Sequence, residues 1–372
     1  MEEKESVQRI WTRNGFGAGA MVVIAVIMYV TINTMNDGAT KTKQSRQGKT
    51  MCAREYVLPV VCAHGGVVDN SMKNDTTSSR QSEAHDSYMT NTFESFARAL
   101  EDGLPCVEID ASMTSDGKVV ALHSRELRQM MERSGHLMYN ASTNVSEHHS
   151  RSLQLLDAGG GAKIASLQLI LSALCEQIDV IIIDLKLSSL QQEDDDERKT
   201  YVDEVVRIVS EECRELKRTR IIFFTKDDLV VPDVTAAIHS REIVADVNYV
   251  HVPKDANTRM EPASIHTPRL ETGYVVMNGT AKNILDGHHR LVEGRPEDAS
   301  VAAVYNGMVD TDVVRTIHES NVQVFTWVVD DDDVAIEMME HEVDGIVSNN
   351  PSFILEKMEE HRQYICGDSG SI

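Results

Sequence analysis

Six ionisable residues of this 372-residue sequence stand where short apolar runs come to an end. His64 closes the run LPVVCA (58–63) and is followed by Gly65 and Gly66. Glu108 and Asp110 close PCVEID (105–110), and Asp184 and Lys186 close IDVIIID (178–184). His123 ends Val119-Val120-Ala121-Leu122. Residues i and i+2 of a strand point to the same side, so Glu108 and Asp110 project together. Asp184, on another such run, can join them. Three converging carboxylates repel one another strongly unless a cation lies between them. Hard oxygen ligands select Ca²⁺ or Mg²⁺ rather than zinc or copper. Two histidines beside such a cation can supply a base and an acid for phosphoryl chemistry, since imidazole titrates near neutrality. Lys186 adds positive charge for a phosphate oxygen. A lone acid at a strand end is ordinarily a loop cap, and a lone histidine is ordinarily structural. Three matching strand ends are not explained that way.

The apolar runs themselves recur from residue 58 onward. Besides the three above they are RIIFFT (220–225), GYVVM (273–277), VAAVY (301–305), VQVFTWVV (322–329) and VDGIVS (343–348). Continuous β-branched runs suit strands buried on both faces, as in parallel sheets. Helical stretches are predicted between them at 92–102, 166–177, 198–217, 309–320 and 331–341. Eight strands alternating with helices fit a (β/α)₈ TIM barrel, with an open doubly wound sheet as the competitor. In a barrel, functional groups gather at the C-terminal strand ends. The Ser- and Asn-rich stretch 67–90 reads as a surface loop, 189–198 as a solvated acidic turn, and Asp330 to Asp333 as the cap of the following helix.

Ahead of the barrel, residues 15–34 carry no charge and are long enough to span a bilayer as a transmembrane helix. The expected organisation is an N-terminal tail (1–14), that helix (15–34), a polar linker (35–56), the barrel (57–360) and a C-terminal tail (361–372). A cleaved signal peptide is the competing reading of 15–34. Lysines and arginines flank the helix on both sides, so charge does not orient it. Sequons at Asn74, Asn140, Asn144 and Asn278 lean toward a lumenal or extracellular barrel on a single-pass membrane protein. A net charge of −23 argues against a nucleic-acid partner. The six cysteines lack zinc spacing, and Cys62 and Cys106, inside apolar runs, read as buried small hydrophobes rather than a disulfide scaffold.

At these residues the sequence resembles the glycerophosphodiester phosphodiesterase family, over roughly 58–360. The likeness is densest in VCAHGG (61–66), NTFESFARALEDGLPCVEIDASMTSDGKVVALHSREL (91–127), IIIDLKL (181–187), FTWVVDD (325–331) and VDGIVSNNP (343–351). It implies a TIM barrel that binds a divalent cation through Glu108, Asp110 and Asp184. It also implies His64 and His123 as the proton-transfer pair, Lys186 as a phosphate contact and Trp327 as a wall of the substrate pocket. The implied reaction turns a small-molecule glycerophosphodiester into sn-glycerol 3-phosphate and an alcohol. Three positions depart from the family pattern: Gly65 replaces a phosphate-gripping arginine, Asp184 a glutamate, and Ser124 an aspartate. The His-Gly-Gly form with an N-terminal membrane segment is similar to a plant-type membrane branch. Two other activities fit the same residues: a barrel that only binds phosphodiester lipids or a protein, and lysophospholipase D-type cleavage of lysophospholipids.

Overall fold

The computed structural model describes residues 58–68, 88–135, 142–214, 219–247, 269–277 and 294–366. The helix expected at 15–34, the linker at 35–56 and most of the loop at 67–90 lie outside them. Among the described residues no helix is long and apolar enough to cross a membrane. The barrel occupies one compact unit, residues 58–359.

Nine strands form it: β1 Val60–His64, β2 Cys106–Met113, β3 Val119–Ala121, β4 Val180–Leu185, β5 Arg220–Thr225, β6 Arg269–Val276, β7 Val301–Tyr305, β8 Gln323–Trp327 and β9 Gly345–Ser348. Each of the eight apolar runs is one of these strands. Eight of them are parallel, and β1 pairs with both β2 and β9, so the sheet closes on itself and the open-sheet alternative is excluded. The ninth, β3, folds back antiparallel on β2 and was not foreseen as a separate strand. Its role is to return the chain to the barrel mouth, where His123 follows it.

Strand alternation produces two apolar layers. Cys62, Cys106, Ile182, Ile222, Phe224, Val275, Ala303, Phe325 and Val347 fill the barrel interior. Ala63, Val107, Ile109, Ile181, Ile183, Ile221 and Phe223 pack outward with buried helical residues such as Leu171, Leu174, Val205 and Val209. Burying each large side chain is worth about 1.5–3 kcal/mol. At the N-terminal end, Arg220 grips Glu271 through two bonds of 2.8 and 2.7 Å, which satisfies the charge inside the closed floor.

The helices are α1 Phe93–Glu101, α2 Ser124–Arg133, α3 Ser150–Leu153, α4 Leu167–Leu174, α5 Ser189–Glu193, α6 Asp195–Glu212, α7 Val230–Val247, α8 Thr311–His318, α9 Asp332–Glu340 and α10 Pro351–Cys366. Two acidic runs differ from expectation. Residues 189–198 are mostly helical rather than a turn: Asp194 accepts the amides of Asp196 and Glu197 and starts α6, where acids favour the helix N-terminus. In the run 330–333, Asp331 caps α9 through the Val334 amide, but Asp330 turns away toward Ser348 and Asn349.

The cysteines also differ. Cys62 and Cys106 are register partners on β1 and β2, with Cα atoms 4.3 Å apart, and they form a disulfide in the barrel interior. Cys175 and Cys213, at the C-terminal ends of α4 and α6, form another. A spacing of 44 residues conceals the first pairing, because only barrel closure brings β1 beside β2.

Candidate active site

Backbone register builds the site. On the paired strands β1 and β2, His64 lies opposite Glu108; on β2 and β4, Asp110 lies opposite Asp184. These residues end the inward-facing rows of the strands, so they collect at the C-terminal mouth. Carboxylate oxygens of Glu108, Asp110 and Asp184 all lie within 4.8 Å of one another. Sequence reading had placed the three acids together, and the fold does bring them together.

Two of the three acids are held by uncharged groups from outside the trio. Asn91, in the left-handed region at φ 60°, donates Nδ2 to Asp110 Oδ2 at 2.7 Å and accepts the Asp110 amide at 3.1 Å. The Gly65 amide donates to Glu108 Oε2 at 3.1 Å. The Gly65–Gly66 turn is clamped in its turn by α1: Ser95 Oγ donates to the Gly65 carbonyl at 2.8 Å, while Ser95 and Thr92 form the reciprocal cap of that helix. Gly65 has φ +66°, and a Cβ there would lie 2.9 Å from Thr90 Cβ. An arginine at this position would be strained and crowded, so the glycine is built into the turn.

Lys186 was expected at the phosphate. Its ammonium pairs with Asp184 and lies 2.7 Å from Asp110 Oδ1. Burial disfavours the lysine's charge, but Asp110, Asp184 and Glu108 together hold its pKa above the ordinary range. Burial likewise opposes ionisation of Asp110, yet Lys186, His123 and His64 keep its carboxyl below the usual carboxylate range. Burial, and then Asp110, push Glu108 well above it. Three acids and one lysine carry a formal surplus of two negative charges. Asp184 Oδ1 is buried without a hydrogen-bond donor, and Asp110 Oδ1 has the Lys186 ammonium beside it. A buried carboxylate oxygen without a donor, in an all-oxygen set with that surplus, fits a hard divalent cation. The second acidic group, Asp331 to Asp333, is exposed helix-cap chemistry.

His64 Nδ1 lies 2.7 Å from Asn349 Oδ1, and its Nε2 lies 3.9 Å from Glu108 Oε2. His123 is the N-cap of α2: its Nδ1 accepts the Arg125 amide at 3.0 Å, while its own amide donates to Glu126 Oε2 at 2.8 Å. Because Nδ1 is an acceptor, the neutral ring carries its proton on Nε2. Burial lowers the His123 pKa to about 4, with Asp110 opposing and Lys186, Arg125 and Lys226 reinforcing the drop. Ser124 Oγ stands 3.4 Å from Nδ1, so the ring is oriented by its own helix rather than by a neighbouring aspartate.

A cleft of about 420 Å³ opens beside His123 and Lys186, with Ser112, Thr143, Ser146, Gln192 and Lys226 among its lining residues. Trp327 stands near it: its Nε1 donates to the Ala303 carbonyl at 3.0 Å, and Lys226 Nζ is 6.0 Å from its ring centroid. Asn144 also lines the cleft, and its Oδ1 accepts the Ser146 amide and hydroxyl. Asn144 is one of the four sequon positions; the other three, Asn74, Asn140 and Asn278, lie outside the described residues. Sequence reading assigned no site role to Asn91, Glu126, Asp330 or Asn349, although all four fall within the stretches that resemble the family and Asp330 was read as part of a helix cap.

A closed (β/α)₈ barrel with a carboxylate trio, two histidines and a lysine at its C-terminal mouth defines a phosphoric diester hydrolase. Residues 84–352 match the glycerophosphoryl diester phosphodiesterase family, and the chain belongs to that family. It is 24% identical to a curated glycerophosphodiester phosphodiesterase of Arabidopsis thaliana over 316 residues, which is 82% of this chain and 74% of the relative. A solved structure from Silicibacter pomeroyi aligns at a TM-score of 0.57 with 19% identity, covering 82% of this chain and 94% of that one. An Oleispira antarctica phosphodiesterase, solved with the product sn-glycerol-3-phosphate, aligns at 0.53 with 17% identity over 81% of this chain and 97% of its own. A glycerophosphodiester phosphodiesterase from Agrobacterium tumefaciens aligns at 0.51 with 16% identity, covering 80% and 100%. At these identities the structures establish a shared fold.

Proposed function

We propose that this chain hydrolyses glycerophosphodiesters to sn-glycerol 3-phosphate and an alcohol, in a reaction that needs Ca²⁺ or Mg²⁺. The observation that carries the reading is the convergence of Glu108, Asp110 and Asp184 at the barrel mouth, flanked by two histidines. Glu108, Asp110 and Asp184 hold the cation, which when bound offsets negative charge on the phosphoryl oxygens. His64 accepts the proton of the attacking hydroxyl. His123 directs its Nε2 proton toward the leaving oxygen. An incoming phosphodiester anion beside His123, Lys186 and Lys226 favours the protonated imidazole, which the empty cleft disfavours. Lys186 reaches the phosphate once its acids are otherwise neutralised, and Trp327 bounds the substrate on one side.

The hydroxyl and amide groups among the residues lining the cleft support a polar glycerophosphodiester as substrate over a lysophospholipid, whose retained acyl chain would need an apolar surface. Two buried disulfides in the barrel support an oxidising compartment, hence a lumenal or extracellular barrel anchored through 15–34. The test is turnover of glycerophosphocholine by the full-length protein, with and without chelator. EDTA should abolish it, and Ca²⁺ or Mg²⁺ should restore it. His64→Ala and His123→Ala should each lower kcat by about 10²–10⁴ while circular dichroism stays unchanged. No turnover with any divalent cation would leave the barrel a binding protein.

A further inference from the structure

One hydrogen-bond chain at the barrel mouth has determined directions from end to end. Asp330 is a carboxylate and can only accept; its Oδ1 takes the Asn349 amide at 2.7 Å and the Ser348 hydroxyl at 3.0 Å. Its Oδ2 lies 2.7 Å from the Asn349 side chain, and an acceptor there requires the amide nitrogen, so Asn349 Nδ2 donates. That leaves Asn349 Oδ1 facing His64 Nδ1 at 2.7 Å, and a carbonyl oxygen accepts only from a protonated nitrogen. The proton of neutral His64 is therefore on Nδ1. Its Nε2 carries the lone pair and points to the acid trio, 3.9 Å from Glu108 Oε2. His123 has the opposite assignment, since its Nδ1 accepts the Arg125 amide. One ring thus offers the site a lone pair and the other an N–H, as a base and an acid require.

We propose that Asn349, oriented by Asp330, is the positioning residue that fixes His64 in the Nδ1–H tautomer with Nε2 free for the substrate proton. This rests on the hydrolytic reading of the site, but the tautomer itself does not. Asp330 and Asn349 come from β8–α9 and β9–α10 connections, so the chain of bonds also ties the last two strand ends to the first. With both residues at the exposed rim, nothing in their burial demands a polar pair there. Their mutual geometry is explained by what they do to His64.

The experiment uses full-length protein labelled with ¹⁵N-histidine, with the His64 signals assigned by loss in His64→Gln. Long-range proton–nitrogen correlation at a pH where imidazole is neutral should give a protonated Nδ1 and an unprotonated Nε2 for His64. In Asn349→Ala that pattern should be lost, and kcat should fall about 10- to 100-fold, the usual cost of losing a partner that orients a functional histidine, with KM unchanged. Asn349→Asp alone sets two carboxylates against each other and should also be impaired. The double exchange Asp330→Asn with Asn349→Asp keeps an acceptor oxygen facing His64 Nδ1 and another facing the residue 349 amide, reverses only the bond between the two side chains, and should recover most of the lost kcat. An unchanged tautomer in Asn349→Ala overturns the proposal, as does a loss confined to KM, or a double exchange no better than Asn349→Asp. A wild type with the expected tautomer and no turnover overturns the hydrolytic reading and leaves the positioning of the ring standing.

Discussion

Asp110 and Asp184 are register partners on the adjacent parallel strands β2 and β4, both inward and both at the mouth. A sheet rarely sets two acids side by side at its buried face, because like charges so placed oppose folding. Glu108, two residues before Asp110, completes the trio, and burial and then Asp110 hold its pKa above the ordinary carboxylate range. A divalent cation should therefore raise the melting temperature of the full-length protein, and Asp184→Asn should weaken that response. At a concentration 100 times Kd the expected gain is about 2.7 kcal/mol. Calorimetry with and without EDTA measures it; a melting curve indifferent to Ca²⁺, Mg²⁺ and chelator would remove the cation from the site.

His123 makes the sharpest pH prediction. Its pKa is depressed to about 4, chiefly by burial, against an ordinary value of about 6.5 in the unfolded chain. Between those values the unfolded state binds more protons, so stability should rise with pH through the window and be lost as pH falls toward 4. His123→Gln, which can still accept the Arg125 amide, should flatten this part of the curve in urea titrations between pH 4 and 7. Adding sn-glycerol 3-phosphate should shift the His123 titration upward, since an anion now faces the ring. A downward shift on adding the phosphate would contradict the proposed acid.

Much of this site was legible before the fold was known, for a physical reason. Strand ends are marked in sequence by the polar residue that interrupts an apolar run, and in a barrel those ends converge. Hence His64, Glu108, Asp110, Asp184 and Lys186 could be named together. What the sequence concealed depends on closure and on backbone geometry. Asn349 and Asp330 meet His64 only because β9 pairs with β1. Asn91 reaches Asp110 from a left-handed conformation that no local pattern announces. Cys62 and Cys106 are separated by 44 residues, and their bond follows from register alone. The acids at 194–197 looked like a solvated turn because charge runs usually are; here they begin a helix.

The Cys62–Cys106 bond lies one inward position below His64 and Glu108, the register pair above it. Closing a loop of this length is worth roughly 4 kcal/mol on the chain-entropy account. Cys62→Ser with Cys106→Ser should lower the melting temperature and, by loosening β1 against β2, lower kcat as well. Reduction under denaturing pressure should do the same to the wild type. A double variant with undiminished melting temperature would mean that the barrel holds this register without the bond.

Lys186 is poised between two duties, and one variant separates them. In the arrangement described, its ammonium compensates Asp110 and Asp184. Removing one partner of a buried charge pair leaves the other unpaired, at a cost of about 3–5 kcal/mol. Lys186→Ala should therefore melt well below wild type in EDTA. Adding Ca²⁺ or Mg²⁺ should recover most of that difference, because the cation takes over the same carboxylates with no ammonium to displace. If Lys186 then turns to the phosphate, the cation-loaded variant should still lose about ten- to a hundredfold in kcat/KM, equal to a charge-assisted hydrogen bond of roughly 1.5–3 kcal/mol. A loss carried by kcat places the ammonium at the transition state, and a loss carried by KM places it in ground-state binding. A variant equal to wild type in EDTA would deny the first duty; one restored in stability but also in full turnover would deny the second.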